Sequence, residues 1–315
     1  MITGYQLANG ALVPAPADDA GILLCISPDR DERQILHERC GVDEHALDSA
    51  LDPDEVSRVE FYPDHLFLIW KRPEHYSGTA FEVSSFGLQL GQGQLVIISA
   101  SNSLLTVSGS RQPLTDLMDV LLEMLFSSVH HYLGHLRVIK MIARELQQKF
   151  NHSVSNEHLL QMYNLSESLI YYLNALQGNG AVLARLRRHA IAQGLKAETV
   201  SILDELIIEN EQCYKQAEIY STVFSGLMDA RGNLANNLMN ETLRRLTLIN
   251  VVFLPLNLIA SIGGMSEFSM MTAALPWWIA YPLLVLGMLL LGVAMVAVLR
   301  RIARYSRSKA MPHPS

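Results

Sequence analysis

The chain of 315 residues reads as an α/β domain over residues 1–112, a helical region over 113–245 that includes one long stalk helix, and a C-terminal two-helix transmembrane hairpin. The two spans are 246–264 and 277–299, joined by a short loop, 265–276, and followed by a basic tail, 300–315. Three observations predict this class. Apolar runs of bilayer length occur only in the last quarter of the sequence. From Leu114 to Leu254 there are 141 residues without a proline, and strand-like alternation vanishes over the same stretch, as long helices require. Before residue 101, short runs of β-branched and aromatic residues alternate with polar helical patterns.

The elements follow in order. The opening residues show no basic region ahead of a long apolar core, so no signal peptide is expected. Residues 21–27, GILLCIS, predict a strand, and DERQILHERCGVDEHALDSAL after it predicts a helix or two with acidic first turns. Residues 59–72 and 80–100 supply three strand-like segments, the last two joined across Gly91-Gln92-Gly93 as a hairpin. Helix breaks are expected near residues 151–156, where NHSVSN offers caps, at Gly178-Asn179-Gly180, and near Gly194. After Ala197 an apolar spacing near 3.5 residues runs on into the first span, so one helix of about 65 residues, about 100 Å long, is expected as a stalk packed on copies of itself.

Charge is unevenly placed. Residues 1–64 hold 14 acidic and 4 basic side chains, whereas only basic ones follow Leu299. An acidic lobe repels nucleic acid and suits cations, or simply solubilises the surface. The three cysteines, Cys25, Cys40 and Cys213, have no CxxC spacing, which fits free thiols in a reducing compartment.

The first span carries the unusual feature. From Leu246 to Gly264 no side chain is charged, and 19 residues reach about 28 Å, close to the hydrocarbon thickness. Yet Asn240, Leu243, Thr247, Asn250, Leu254, Asn257 and Ser261 fall on one helix face, five polar side chains and two leucines. Polar groups in a bilayer are costly unless they face protein or water. The stripe should therefore line a subunit interface or a water-filled path, and a path needs several copies around an axis. The other reading of the asparagines is interhelical glue. The second span, 277–299, opens with Trp277, Trp278 and Tyr281, carries Gly287 and Gly292 for close packing and lacks such a stripe, which suits a lipid-facing outer ring. Arg244 and Arg245 before the first span and Arg300, Arg301, Arg304, Arg307 and Lys309 after the second place both termini in the cytoplasm by the positive-inside rule.

The first span resembles that of the CorA family of divalent-cation channels, which includes the ZntB zinc transporters and the CmaX proteins. The resemblance rests on Asn240, Leu246-Thr247, Phe253-Leu254-Pro255-Leu256 and Gly264-Met265-Ser266, the last standing where the family has Gly-Met-Asn. Gly263 stands where an aromatic is common. A second register pairs Gly263-Gly264-Met265 with a Gly-Gly-Ile-Pro stretch of ZntB-type members and puts Ser266 beyond the signature. Asp64 to Leu68 resembles a strand of the family's cytoplasmic domain. The resemblance implies a CorA-like funnel, a homopentamer in a bacterial inner membrane, and a pore for Mg²⁺ or another divalent cation, which is the transported and also a possible regulatory ion. It makes Asn240, Thr247, Asn250, Asn257 and Ser261 polar rings and Leu243 and Leu254 apolar constrictions. Gly264, Met265 and Ser266 would form the outer entrance. A ZntB-like carrier of Zn²⁺, Ni²⁺ or Co²⁺ and a non-conducting scaffold or sensor are the alternatives. Expected partners are copies of itself, divalent cations and the bilayer, with no nucleic acid.

Elsewhere, His131 and His135 stand i, i+4 beside His130 and could share a metal, or be surface or interface histidines. Arg185 to His189 reads as a solvated helix face. There is no phosphate loop, no G-x-G-x-x-G and no G-x-S-x-G, so no enzyme activity is expected.

Overall fold

The computed structural model describes residues 1–8, 10–74, 80–101, 114–149, 156–273 and 275–309, which divide into two compact units, Met1–Asp229 and Ala230–Ser315. The first unit opens with β1 (Ile2–Ala8), β2 (Ala11–Ala15), β3 (Ile22–Ile26), α1 (Arg30–Cys40) and α2 (Glu44–Leu51). Then come β4 (Arg58–Phe61), β5 (His65–Pro73), β6 (Val83–Gly91) and β7 (Gln94–Ser99). Three helices follow: α3 (Leu117–Lys149), α4 (Asn156–Ala192) and α5 (Ala197–Gly263), whose portion beyond Asp229 belongs to the second unit.

The strands form one sheet in the order β2-β1-β3-β7-β6-β5-β4. β3 and β7 pair in parallel, and the other neighbours are antiparallel. Both sheet faces are covered, which is why β3 and β7 read as unbroken apolar runs. One face, with Leu24, Leu68, Trp70, Leu88 and Ile97, packs under α3, α4 and α5 through Val129, Tyr132, Leu176 and Leu206. The other face, with Leu23, Phe67, Ile69 and Ile98, packs under α1 and α2 through Leu36, Leu47 and Ala50. The indole of Trp70 donates to Ser128 Oγ at 2.9 Å, tying β5 to α3. α1 begins with a reciprocal capping box between Asp29 and Glu32 and ends at Gly41 in the left-handed region, φ 66°.

Four features differ from the sequence expectations. The first is β1–β2, a hairpin not expected from the sequence. The second is the segment at 59–72, which is a hairpin rather than one strand: β4 turns into β5 at Pro63, where the Tyr62 amide donates to the His65 carbonyl at 2.8 Å. The third is the expected break at Gly178-Asn179-Gly180, because α4 runs through it unbroken. Both glycines serve close packing: a Cβ on Gly178 would sit 3.2 Å from Ser57 Cβ, and one on Gly180 would sit 3.1 Å from Asn210 Nδ2. Between them Asn179 is wholly buried. Its Oδ1 accepts from Ser57 Oγ at 2.8 Å and from the Lys71 amide at 3.1 Å, and its Nδ2 donates to the Lys71 carbonyl at 2.7 Å. The fourth lies in the second unit, where the connection between the spans contains a short helix, α6 (Ser266–Met271).

Two breaks complete the helical region. Gly194, with φ 64°, ends α4 as expected, while the break expected near residues 151–156 lies, up to residue 155, outside the described ones, and α4 begins at Asn156.

α5 extends over 67 residues without interruption, with Pro255 inside it. α7 (Trp277–Lys309) carries Pro282 near its start. Among the described residues, α5 contains one segment long and apolar enough to cross a membrane, and residues 277–299 of α7 form another. The two helices touch at small residues. A Cβ on Gly263 would clash with Leu284 Cδ2, and one on Gly292 would lie 3.5 Å from Leu256 Cδ1. Contacts step back along α5 as they step forward along α7, so the pair is antiparallel. Gly287, expected to pack closely, has no neighbour within 4 Å of its Cβ direction in the single chain.

Candidate functional site

α5 gives the membrane segment two unlike sides. Leu248, Val252, Pro255, Leu256 and Ile259 are half-buried and Gly263 is buried, which marks the side turned to α7. Asn240, Leu243, Thr247, Asn250, Leu254, Asn257 and Ser261 are all exposed. At about 100° per residue the two sets are centred nearly half a turn apart. The polar stripe therefore faces away from α7, and its residues are exposed among the described ones. Leu243 and Leu254, 52% and 70% exposed, interrupt it as apolar steps. Thr247 Oγ1 donates back to the Leu243 carbonyl at 2.9 Å, which fixes the hydroxyl rotamer and leaves its methyl and lone pairs on the exposed side.

At the far end of the stripe α5 stops at Gly263. The Gly264 amide bonds to the Ala260 carbonyl at 3.1 Å, and Met265 turns extended, φ −84° and ψ 151°, before α6. Gly264, Met265 and Ser266 are exposed. Ser266 is the first residue of α6, and its hydroxyl donates to the Glu267 carboxylate at 3.3 Å. Sequence reasoning missed the pairing of Ser266 with Glu267. The signal was its position directly after the signature. Phe268 lies edge-on to Tyr281, ring centroids 5.9 Å apart, holding α6 against the start of α7.

The histidines form a different kind of site. His131 and His135 meet edge to face with centroids 4.4 Å apart. His135 Nδ1 lies 2.5 Å from the Tyr172 hydroxyl, which occupies that nitrogen. Burial holds the Tyr172 phenol far above its ordinary value, so it keeps its proton. His135 also packs on Phe81, and His130 pairs with Glu209 at 3.4 Å. Among the described residues no three His, Cys, Asp or Glu side chains group as a metal site. In the basic run, Arg185 and Arg188 are exposed as expected, but Arg187 is ion-paired with Asp204 and His189 stacks on Phe61, centroids 3.9 Å apart. These two contacts join α4 to α5 and to β4.

The whole chain has known counterparts. A family described as "CorA-like Mg2+ transporter protein" matches residues 22–301. A relative from Methanocaldococcus jannaschii, named cobalt/magnesium transport protein CorA, is 23% identical over 302 residues, covering 90% of this chain and 95% of the relative. The complete structure of the CorA magnesium transporter from the same organism superposes with a TM-score of 0.79 at 21% identity, covering 95% of this chain and 96% of that one. A full-length CmaX protein superposes with a TM-score of 0.75 at 16% identity, covering 96% and 97%.

Proposed function

Since the chain belongs to the family of CorA-like Mg²⁺ transporters, we propose that it carries divalent cations, Mg²⁺ first among them, across a bacterial inner membrane. It does so as a homo-oligomer, a pentamer in our reading, with α5 of each copy around a central path and both termini in the cytoplasm. The observation that supports this most directly is the exposed polar stripe on the side of α5 opposite α7. A hairpin meant only to anchor would show hydrocarbon on every free face, because an unpartnered amide in lipid is costly. Copies arranged with the stripes inward give rings of Asn240, Thr247, Asn250, Asn257 and Ser261 separated by the Leu243 and Leu254 rings.

Mg²⁺ sheds its water reluctantly. Amide and hydroxyl rings would hold the hydrated ion through its water shell without offering a charge, and the leucine rings would close the path by dewetting. Gly264, Met265 and Ser266 form the outer entrance in this reading. Ser266 offers one short hydroxyl where an asparagine would offer a carbonyl and an amide, and that hydroxyl is already engaged with Glu267. The entrance therefore grips a hydration shell weakly, and selectivity among hydrated divalents is modest. The histidines and the buried thiols take no part.

The test is flux in liposomes made with the purified full chain. Asn250→Leu removes a ring of water-binding groups while adding packing surface, so Mg²⁺ influx should fall at least about tenfold with the oligomer intact by size-exclusion mass. Dissociation of the oligomer, or flux equal to the wild type, would show that the stripe is glue or lies outside the path. Running the same vesicles with Zn²⁺, Ni²⁺ and Co²⁺ separates Mg²⁺ transport from transition-metal transport and from silence.

A further inference from the structure

Between α5 and α7 lies an apolar cleft of about 650 Å³, lined by Val252 and Leu256 from α5 and by Met288, Gly292, Val296 and Ala297 among others from α7. The α5 lining lies on the side away from the polar stripe. The contact pairs determine which ends of the helices meet. Gly263 touches Leu284 and Leu256 touches Gly292, so seven residues back along α5 match eight forward along α7. One more such step brings Ile249 level with Arg300. Ala297, at the end of the cleft, is thus one turn from Arg301, and Val252 is two turns from Arg244 and Arg245.

The charge at that end is one-sided. Between Ala230 and Ser315 the sequence places Arg231, Arg244, Arg245, Arg300, Arg301, Arg304, Arg307 and Lys309 beyond the cleft, with Glu241 as the one acid there. Glu241 is bonded to Arg245 at 2.6 Å. Arg244 and Arg301 are exposed. An apolar trough running along two membrane helices, closed at one end by cations, matches an amphiphile with a hydrocarbon tail and an anionic head. A neighbouring copy of the chain could fill the trough but would bring more arginines to its mouth, not anions. We propose that the cleft seats one acyl chain of an anionic phospholipid whose phosphate is held by Arg244 and Arg301. This rests on the reading of both helices as membrane-spanning.

The experiment is native mass spectrometry of the full-length oligomer in detergent, delipidated and then given dioleoylphosphatidylglycerol and dioleoylphosphatidylcholine in equal amounts. Phosphatidylglycerol should be retained in preference. Arg244→Gln and Arg301→Gln should each lower that preference about fivefold, the ratio that ~1 kcal/mol per basic side chain at a membrane surface corresponds to. Ala297→Trp fills the trough and should abolish retention of both lipids. Leu290→Trp, on an exposed position outside the lining, should leave it unchanged and controls for misfolding. Equal retention of the two lipids, retention untouched by Ala297→Trp, or a wild-type oligomer that takes up no phospholipid because a neighbour fills the cleft, would overturn the proposal. Retention is read by mass and flux by indicator, so a chain that binds the lipid yet conducts nothing overturns the transport reading alone.

Discussion

Asn179 shows how much one side chain can do where two elements meet. β4 ends its pairing with β5 at Arg58 opposite Ile69, so Lys71, two residues further along β5, has no strand partner on that edge. The carboxamide of Asn179 supplies both missing hydrogen bonds, acting as one more residue of β4 projected from a helix. Replacing it by Leu leaves a backbone amide, a backbone carbonyl and the Ser57 hydroxyl without partners in a buried place. Each such loss costs about 1 kcal/mol or more, so Asn179→Leu should cost about 3 kcal/mol and lower the unfolding midpoint of the purified protein by roughly 6–12 °C. Ser57→Ala removes only one of the three bonds and should cost about a third as much. Equal losses in the two variants would show that the amide contributes nothing through the strand. None of this was visible in the sequence, where Gly-Asn-Gly has the composition of a turn. Only the tertiary neighbours Ser57 and Asn210 explain why glycines stand there inside a helix.

At the scale of elements, the sequence was most legible where periodicity ran long. The 67-residue α5 and the apolar start of α7 follow directly from spacing and composition. The β1–β2 hairpin was hidden because Pro14 lies within β2 and Pro16 directly after it, and proline is depleted in strands. Pro14 is tolerated because β2 is the outermost strand of the sheet, where an absent donor faces no partner. The Asn-Gly pair at 9–10 was the available turn signal, and Gly10 indeed has φ 75°. The polar stripe was legible because helical spacing alone defines a face, but which neighbour covers the opposite face was not. That came from Gly263 and Gly292. Their role gives a graded expectation. Gly263→Ala puts a methyl against the far end of Leu284, which a rotamer change can absorb, and should shift the unfolding midpoint of the detergent-solubilised protein by no more than a few degrees. Gly263→Phe cannot be absorbed and should destabilise by about 2–3 kcal/mol or split the hairpin. A bulky residue accepted at no cost would mean that α5 and α7 do not pack at this point.

For the whole molecule the strongest expectation is topological. Seven basic side chains flank the outer ends of the two spans, whereas Glu267 is the one charged residue in the connection from 265 to 276. Reporters fused before Met1 and after Ser315 should both read cytoplasm, and a tag inserted in the loop near Thr272 should be labelled from outside. Termini on opposite sides would remove the hairpin. A last consequence belongs to Pro255. A proline has no N–H, so the Val251 carbonyl one turn earlier loses its usual helical donor at a depth where hydrocarbon offers no replacement. Such a carbonyl costs several kcal/mol if it is dry. A hydrogen-bond donor reaching that level of the bilayer would therefore stabilise the helix itself. The chain thus carries, midway along its first span, a backbone acceptor freed by its own sequence, which a water or a donor from a neighbouring helix would satisfy independently of any ion that passes.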